Sequence, residues 1–120
     1  MSSNFCSKTI DWEKYGVVYA GAQKNVGPSG ICITVVRNDL IGSQRKDTPL
    51  LCDWGTFSKA ANTFHNTPAC WPIYMCGLNI AYMNEQGGIA AMGEKAKARS
   101  DMLYKFIDES GGYYTNTVVA

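Results

Sequence analysis

Hydrophobic positions along the chain gather into runs separated by polar and glycine-rich stretches, and the character of each run predicts an element. Val17-Val18-Tyr19-Ala20 is a short β-favouring run that stops at Gly21, and Ile31 to Val36 is a longer apolar one of the kind found in strands covered on both faces. Both are expected to be central strands. Between them, residues 21–30 carry small side chains and three glycines, a loop that lets backbone or ligand approach closely. From Ile41 to His65 periodicity is weak and polar, Gly and Pro positions are scattered, which predicts a long functional or interface-forming loop.

Asn66-Thr67-Pro68 carries the signature of a helix start, a capping side chain followed by proline, and the helix is expected to run to about Glu85. Its interior, Ile73 to Met83, is apolar nearly all round, so it should be deeply buried or shared with a partner subunit; Pro72 is tolerable only in its first turn. Gln86-Gly87-Gly88 is a plausible stop. A second helix follows, with Ile89, Met92, Ala96, Leu103, Phe106 and Ile107 on its apolar side and charged residues elsewhere, ended by Gly111-Gly112. Tyr113 to Val119 then predicts the start of a strand with no partner left in the chain. The change from apolar to charged, amphipathic sequence near Gly87 suggests a domain boundary: 1–86 as one domain's C-terminal part and 87–120 as the start of another.

At 120 residues, 46% hydrophobic and 18% charged, the chain suits one modest globular domain or a piece of a larger one, not a disordered or fibrous sequence. A formal charge of +1 leaves no electrostatic footprint for nucleic acid or an anionic membrane. Five cysteines without a C-x-x-C pair, and His65 as the lone histidine, predict no metal site and no disulfide framework, hence reduced thiols in the cytoplasm. The N-terminus has neither the basic nor the apolar region of a signal peptide, and no run has the length of a membrane span.

Lys24 is the sharpest chemical feature. An amine on a loop between buried strands can be desolvated, which frees its lone pair to attack a carbonyl; the plainer reading is a solvated loop lysine. The loop lacks the G-x-x-x-x-G-K-[ST] pattern of a P-loop. Asn66 and Thr67 at a helix start either satisfy only their own helix or offer donors to a phosphate. His65, Cys70 and Cys76 have no partner motif and are expected to be structural, and the tryptophans and tyrosines to pack.

The ordered series Ser2-Ser3-Asn4-Phe5, Tyr15 through Gly27 with its Ala-Gly-Ala-Gln-Lys-Asn stretch at 20–25, Asn66-Thr67-Pro68 and Gly87-Gly88 closely resembles the phosphoserine aminotransferase family of class V, pyridoxal-phosphate-dependent enzymes. The resemblance implies an α/β fold of the aspartate-aminotransferase type (fold type I), here an incomplete large-domain sheet, mainly parallel, plus the start of the small domain. It implies that Lys24 forms the internal aldimine with pyridoxal 5′-phosphate and shuttles a proton between substrate α-carbon and cofactor C4′. Gln23 would bind the cofactor, and Asn66 and Thr67 would reach its phosphate from the neighbouring subunit of a homodimer. The implied reaction moves the amino group of L-glutamate to 3-phosphohydroxypyruvate, giving O-phospho-L-serine and 2-oxoglutarate in serine biosynthesis. Family members are considerably longer: the acidic partner of the pyridine nitrogen would fall just before Met1, and the ring-stacking aromatic and the basic substrate clamps are also expected elsewhere. His65 and Ala69 depart from the family pattern. The 120 residues alone are therefore expected to be inactive; the competing readings are a non-catalytic aminotransferase-derived fragment and an unrelated phosphate-binding module.

Overall fold

A computed structural model describes residues 1–118. Strand β1 (Val17–Gly21) and strand β2 (Cys32–Val36) form where the β-branched runs predict them, and they pair with Val17 opposite Val36, Tyr19 opposite Thr34 and Gly21 opposite Cys32. The pair is antiparallel. The reason is chain length. Residues 22–31 are too few for the helical crossover that parallel neighbours need, so the chain turns back directly. The parallel sense appears at the other edge of β1, where the Met1 ammonium donates to the Tyr19 carbonyl (2.8 Å) and the Met1 carbonyl accepts from Gly21 N–H (3.1 Å).

The stretch expected to be loop from 41 to 65 contains a short helix, α1 (Trp54–Lys59). Asp53 caps it, its carboxylate accepting from Gly55 N–H at 2.8 Å. Helix α2 (Cys70–Glu85) begins later than the capping signature predicts: its N-cap is Ala69, and Asn66, Thr67 and Pro68 stay outside the helix. Pro72 falls in the first turn, where its missing N–H costs nothing. Helix α3 (Gly88–Asp108) follows almost at once, through Gly87 and Gly88 at φ 99° and 73°, a left-handed joint that only glycine adopts without strain.

The buried cluster is small: Phe5, Ala20, Ala22, Val26 and Cys76, with Cys6, Ile10, Ile31 and Ile33 packed against it. It lies where the N-terminal segment, the β1–β2 turn and α2 meet. Gly27 lets the turn touch the helix, since a Cβ there would stand 3.1 Å from both Cα and Cβ of Cys76. Burial elsewhere is sparse. Trp71, Tyr74 and Tyr82 on α2 are 63%, 64% and 51% exposed, so the helix expected to be deeply buried or shared with a partner subunit is covered by this chain on one side only. The radius of gyration is 18.7 Å, against about 14 Å for a compact domain of this length. The two strands likewise show exposed Tyr19 and Val35, and so are not covered on both faces within this chain.

The strand expected from Tyr113 does not form over residues 113–118; Val119, the last residue of that expectation, lies outside the described residues. A strand needs a neighbour, and here the aromatic rings find a different one: Tyr114 packs on Phe106 of α3 (centroids 5.9 Å) and edge-on to Tyr113 (4.8 Å), while Tyr114 N–H donates to the Ser110 hydroxyl at 3.0 Å.

Candidate functional site

Lys24 sits at the exposed apex of the turn that follows β1. The turn itself is tied down. Val26 and Gly27 N–H both donate to the Ala22 carbonyl (3.2 and 2.9 Å), and Ala22 N–H donates to the Ile31 carbonyl (3.1 Å). Ala22 and Val26 are fully buried on either side of the lysine, which turns Gln23 and Lys24 outward. The Asn25 side-chain amide donates to the Phe5 carbonyl at 2.5 Å, and that of Asn79, from α2, donates to the carbonyls of Asn25 (3.0 Å) and Val26 (2.7 Å). Among the described residues no ion pair or hydrogen bond engages the Lys24 amine. Of the two readings of the sequence, the solvated loop lysine describes its place within this chain: the amine is presented, on a fixed backbone, and is not desolvated.

Asn66 and Thr67 lie in the irregular stretch before α2. They do not cap it: the N-cap position is Ala69 and no side chain bonds the first turn, so the reading in which they serve only their own helix is excluded. Instead they line a cleft of about 240 Å³ together with Gly30, Ile31, Phe57 and Ile73. Gln23 and Lys24 are not among its lining residues. Within one chain, then, the amide and hydroxyl group are brought together at one place and the amine is held at another. His65 borders the same cleft, its ring edge-on to Phe57 at 6.3 Å, in a packing role.

Asn79 is the residue that sequence reading passed over. The signal was present: an amide inside the apolar run Leu78-Asn79-Ile80 must find partners when α2 packs.

Among the thiols, burial pushes the Cys76 pKa up, and burial together with the neighbouring Cys76 does the same for Cys6. Cys32, Cys52 and Cys70 are exposed, and none of the five is in a disulfide. In native protein at pH 8, iodoacetamide should label Cys76 at least about tenfold more slowly than Cys52, because the attacking thiolate is both disfavoured and covered. Equal rates, read by peptide mass spectrometry, would contradict this packing. A folded-state pKa raised above the unfolded value means that the contribution of this pair is complete below the ordinary thiol range and is lost as pH rises through it.

No group of potential metal ligands gathers among the described residues, and no helix there is long and apolar enough to cross a membrane.

Comparison with known proteins gives these features a setting. The family model for class-V aminotransferases matches residues 1–120. Phosphoserine aminotransferase 2, chloroplastic, from Arabidopsis thaliana is 49% identical over 114 residues, covering 95% of this chain and 27% of that protein. Phosphoserine aminotransferase of Chromobacterium violaceum is 39% identical over 118 residues, covering 98% of this chain and 32% of that one. Among solved structures, phosphoserine aminotransferase from Bacillus circulans subsp. alkalophilus superimposes with a TM-score of 0.85 at 37% identity, over 94% of this chain and 31% of that one. The pyridoxal-phosphate-bound phosphoserine aminotransferase from Trichomonas vaginalis gives a TM-score of 0.82 at 33% identity, over 92% and 31%. The chain thus spans about a third or less of the length of the relatives it matches, and the open faces of its sheet and of α2 are those of part of a larger fold. The architecture is accordingly a portion of an α/β, fold type I transferase. With its full length matched by the family model and its backbone superimposing on solved members, the chain belongs to the class-V aminotransferases.

Proposed function

We propose that this chain is the part of a phosphoserine aminotransferase that carries the cofactor-binding lysine, and that the complete enzyme transfers the amino group of L-glutamate to 3-phosphohydroxypyruvate, giving O-phospho-L-serine and 2-oxoglutarate. The observation that carries this reading is the turn at Lys24: an amine without a partner among the described residues, on a backbone tied by hydrogen bonds to two other segments. A residue that must take up an aldehyde and then be released needs both properties.

The residues present fit pyridoxal 5′-phosphate. Lys24 supplies the nucleophilic amine, Gln23 beside it an exposed amide for the ring, and Asn66 and Thr67 supply donors that no helix cap consumes. When bound, the cofactor's pyridinium acts as the electron sink for loss of the substrate α-proton. Lys24 Nζ then carries that proton between the α-carbon and the cofactor's C4′, a task for which an unengaged amine on a fixed turn is suited. Asn66 and Thr67 hold the phosphate and exclude water from it. Gln23 and Lys24 do not line the cleft of Asn66 and Thr67, which is in keeping with a homodimer in which one copy supplies the amine and its partner the phosphate donors. The left-handed joint at Gly87 and Gly88 supports the division into a cofactor-binding part, 1–86, and the beginning of a small domain, 87–120. All five cysteines are unpaired, in keeping with a reducing compartment; the chloroplastic Arabidopsis relative leaves cytoplasm and plastid as alternatives.

A chimera tests this reading. Residues 1–120 replacing the matching segment of a characterised phosphoserine aminotransferase should let a serine auxotroph lacking that enzyme grow without serine. A chimera that is soluble, dimeric and binds the cofactor, yet supports no growth, would overturn the assignment. The isolated 120-residue chain should show no transamination, since the acidic partner of the pyridine nitrogen and the basic substrate clamps that the family resemblance implies are expected outside it.

A further inference from the structure

The lysine turn is gripped by a residue that belongs to none of the expected site. Asn79 stands midway along α2, more than fifty residues from the turn in sequence, and its side-chain amide nitrogen donates to two successive carbonyls, Asn25 at 3.0 Å and Val26 at 2.7 Å. Two consecutive carbonyls held by one nitrogen orient two consecutive peptide planes. On the other side, Val26 and Gly27 N–H are tied back to the Ala22 carbonyl. Residues 22–27 are therefore fixed at both ends, and Lys24, between them, keeps only its side-chain torsions. The chemistry of the helix supports a dedicated purpose. Asparagine is a poorer helix former than the leucine and isoleucine that flank it, and a half-buried amide in an apolar run has to be repaid by bonds. Packing alone would be served by an aliphatic residue.

We propose that Asn79 is a positioning residue for the Lys24 amine, setting the direction from which that amine meets the cofactor and the substrate α-carbon; this rests on the reading of Lys24 given above. Asn79 touches neither. It acts through the carbonyls of the two residues that follow the lysine, and the amine loses its approach when those peptide planes are free to rotate. Displacement of a reacting group by about an ångström costs on the order of 100-fold in rate.

The test uses the full-length holoenzyme that carries this segment. Asn79→Leu keeps the side chain's size and removes the donor. It should lower kcat by about 10- to 100-fold while KM for L-glutamate stays within about twofold. It should equally slow the capture of Lys24 by pyridoxal 5′-phosphate in apoenzyme, read by borohydride trapping and peptide mass spectrometry. Asn79→Gln retains the donor and should recover most of both rates. Parental kcat and trapping rate in Asn79→Leu would overturn the proposal, even with a lowered melting temperature, because Asn79 would then only support helix packing. If Asn79→Leu yields no soluble protein, Asn79→Asp decides on the same two rates: it is isosteric, cannot donate when ionised, and should be slow in both. The parallel Lys24→Ala variant separates the two readings. Dead Lys24→Ala with parental Asn79→Leu removes the positioning role alone, whereas active Lys24→Ala removes the assignment of the lysine itself.

Discussion

Replacing Lys24 by alanine in the holoenzyme is expected to lower kcat by about 10⁴-fold or more and to abolish the visible absorbance of the lysine-bound cofactor. Both losses follow from one nitrogen being covalent holder and proton carrier. The cofactor-free variant should be as stable as the cofactor-free parent, to within about 0.5 kcal/mol, because the side chain is exposed and engages nothing among the described residues. That combination separates a chemical role from a structural one. Lys24→Arg should be no better: a guanidinium stays protonated at any working pH, so it can neither attack an aldehyde nor carry the proton. A small primary amine added to Lys24→Ala should restore part of the rate by taking over the proton transfer. Single-turnover absorbance measurements with L-glutamate check these outcomes, and a variant within tenfold of the parent would refute the assignment.

Gly27→Val should destabilise the protein by about 1–3 kcal/mol and lower activity with it. Gly27 is not in the left-handed region, so the requirement is for space. A Cβ would stand 3.1 Å from Cα and Cβ of Cys76 and 3.5 Å from its Sγ, and those are atoms of a sixteen-residue helix, which cannot swing aside as a flexible side chain can. Valine adds further carbons to that contact. Relief has to come from separating the turn from α2, which stretches the bonds Asn79 makes and moves the lysine. Gly77→Ala is the matched control. It lies one residue on in the same helix, its Cβ would meet nothing within 4 Å, and it should stabilise by up to about 1 kcal/mol through helix propensity. Urea titrations of the two variants should move in opposite directions; a Gly27→Val protein as stable as the parent would mean that the turn does not seat on α2 as described.

The two strands were legible because a β-branched run needs little context: Val17–Gly21 and Cys32–Val36 fall within a residue of where the pattern puts them. Their mutual direction was left open, though the ten-residue spacing that dictates it was in plain view. Helix α1 was missed because six residues are too short to show periodicity, and its one clear mark, Asp53 two residues before Gly55, is a single capping contact. The start of α2 was read at Asn66-Thr67-Pro68 because a capping residue followed by proline looks the same whether the helix begins there or a turn later; only Ala69 and Pro72 in three dimensions separate the cases. Tyr113 and its neighbours have the composition of a strand, yet composition cannot supply a neighbouring strand, and ring packing on α3 prevailed. Within the site, Lys24, Gln23, Asn66 and Thr67 were named from motif. Asn79 was not, since its partners are backbone carbonyls far away in sequence, and no local pattern encodes a tertiary hydrogen bond.

The glycine joint between α2 and α3 has a mechanical corollary. The 21 residues of α3 make a rigid arm about 31 Å long, so a change of only ten degrees at Gly87 or Gly88 sweeps its far end through about 5 Å. Torsional freedom at two adjacent positions thus governs where everything attached beyond Asp108 is delivered, and any side chain added there exacts its penalty at a distance, as a misdirected limb instead of a local defect.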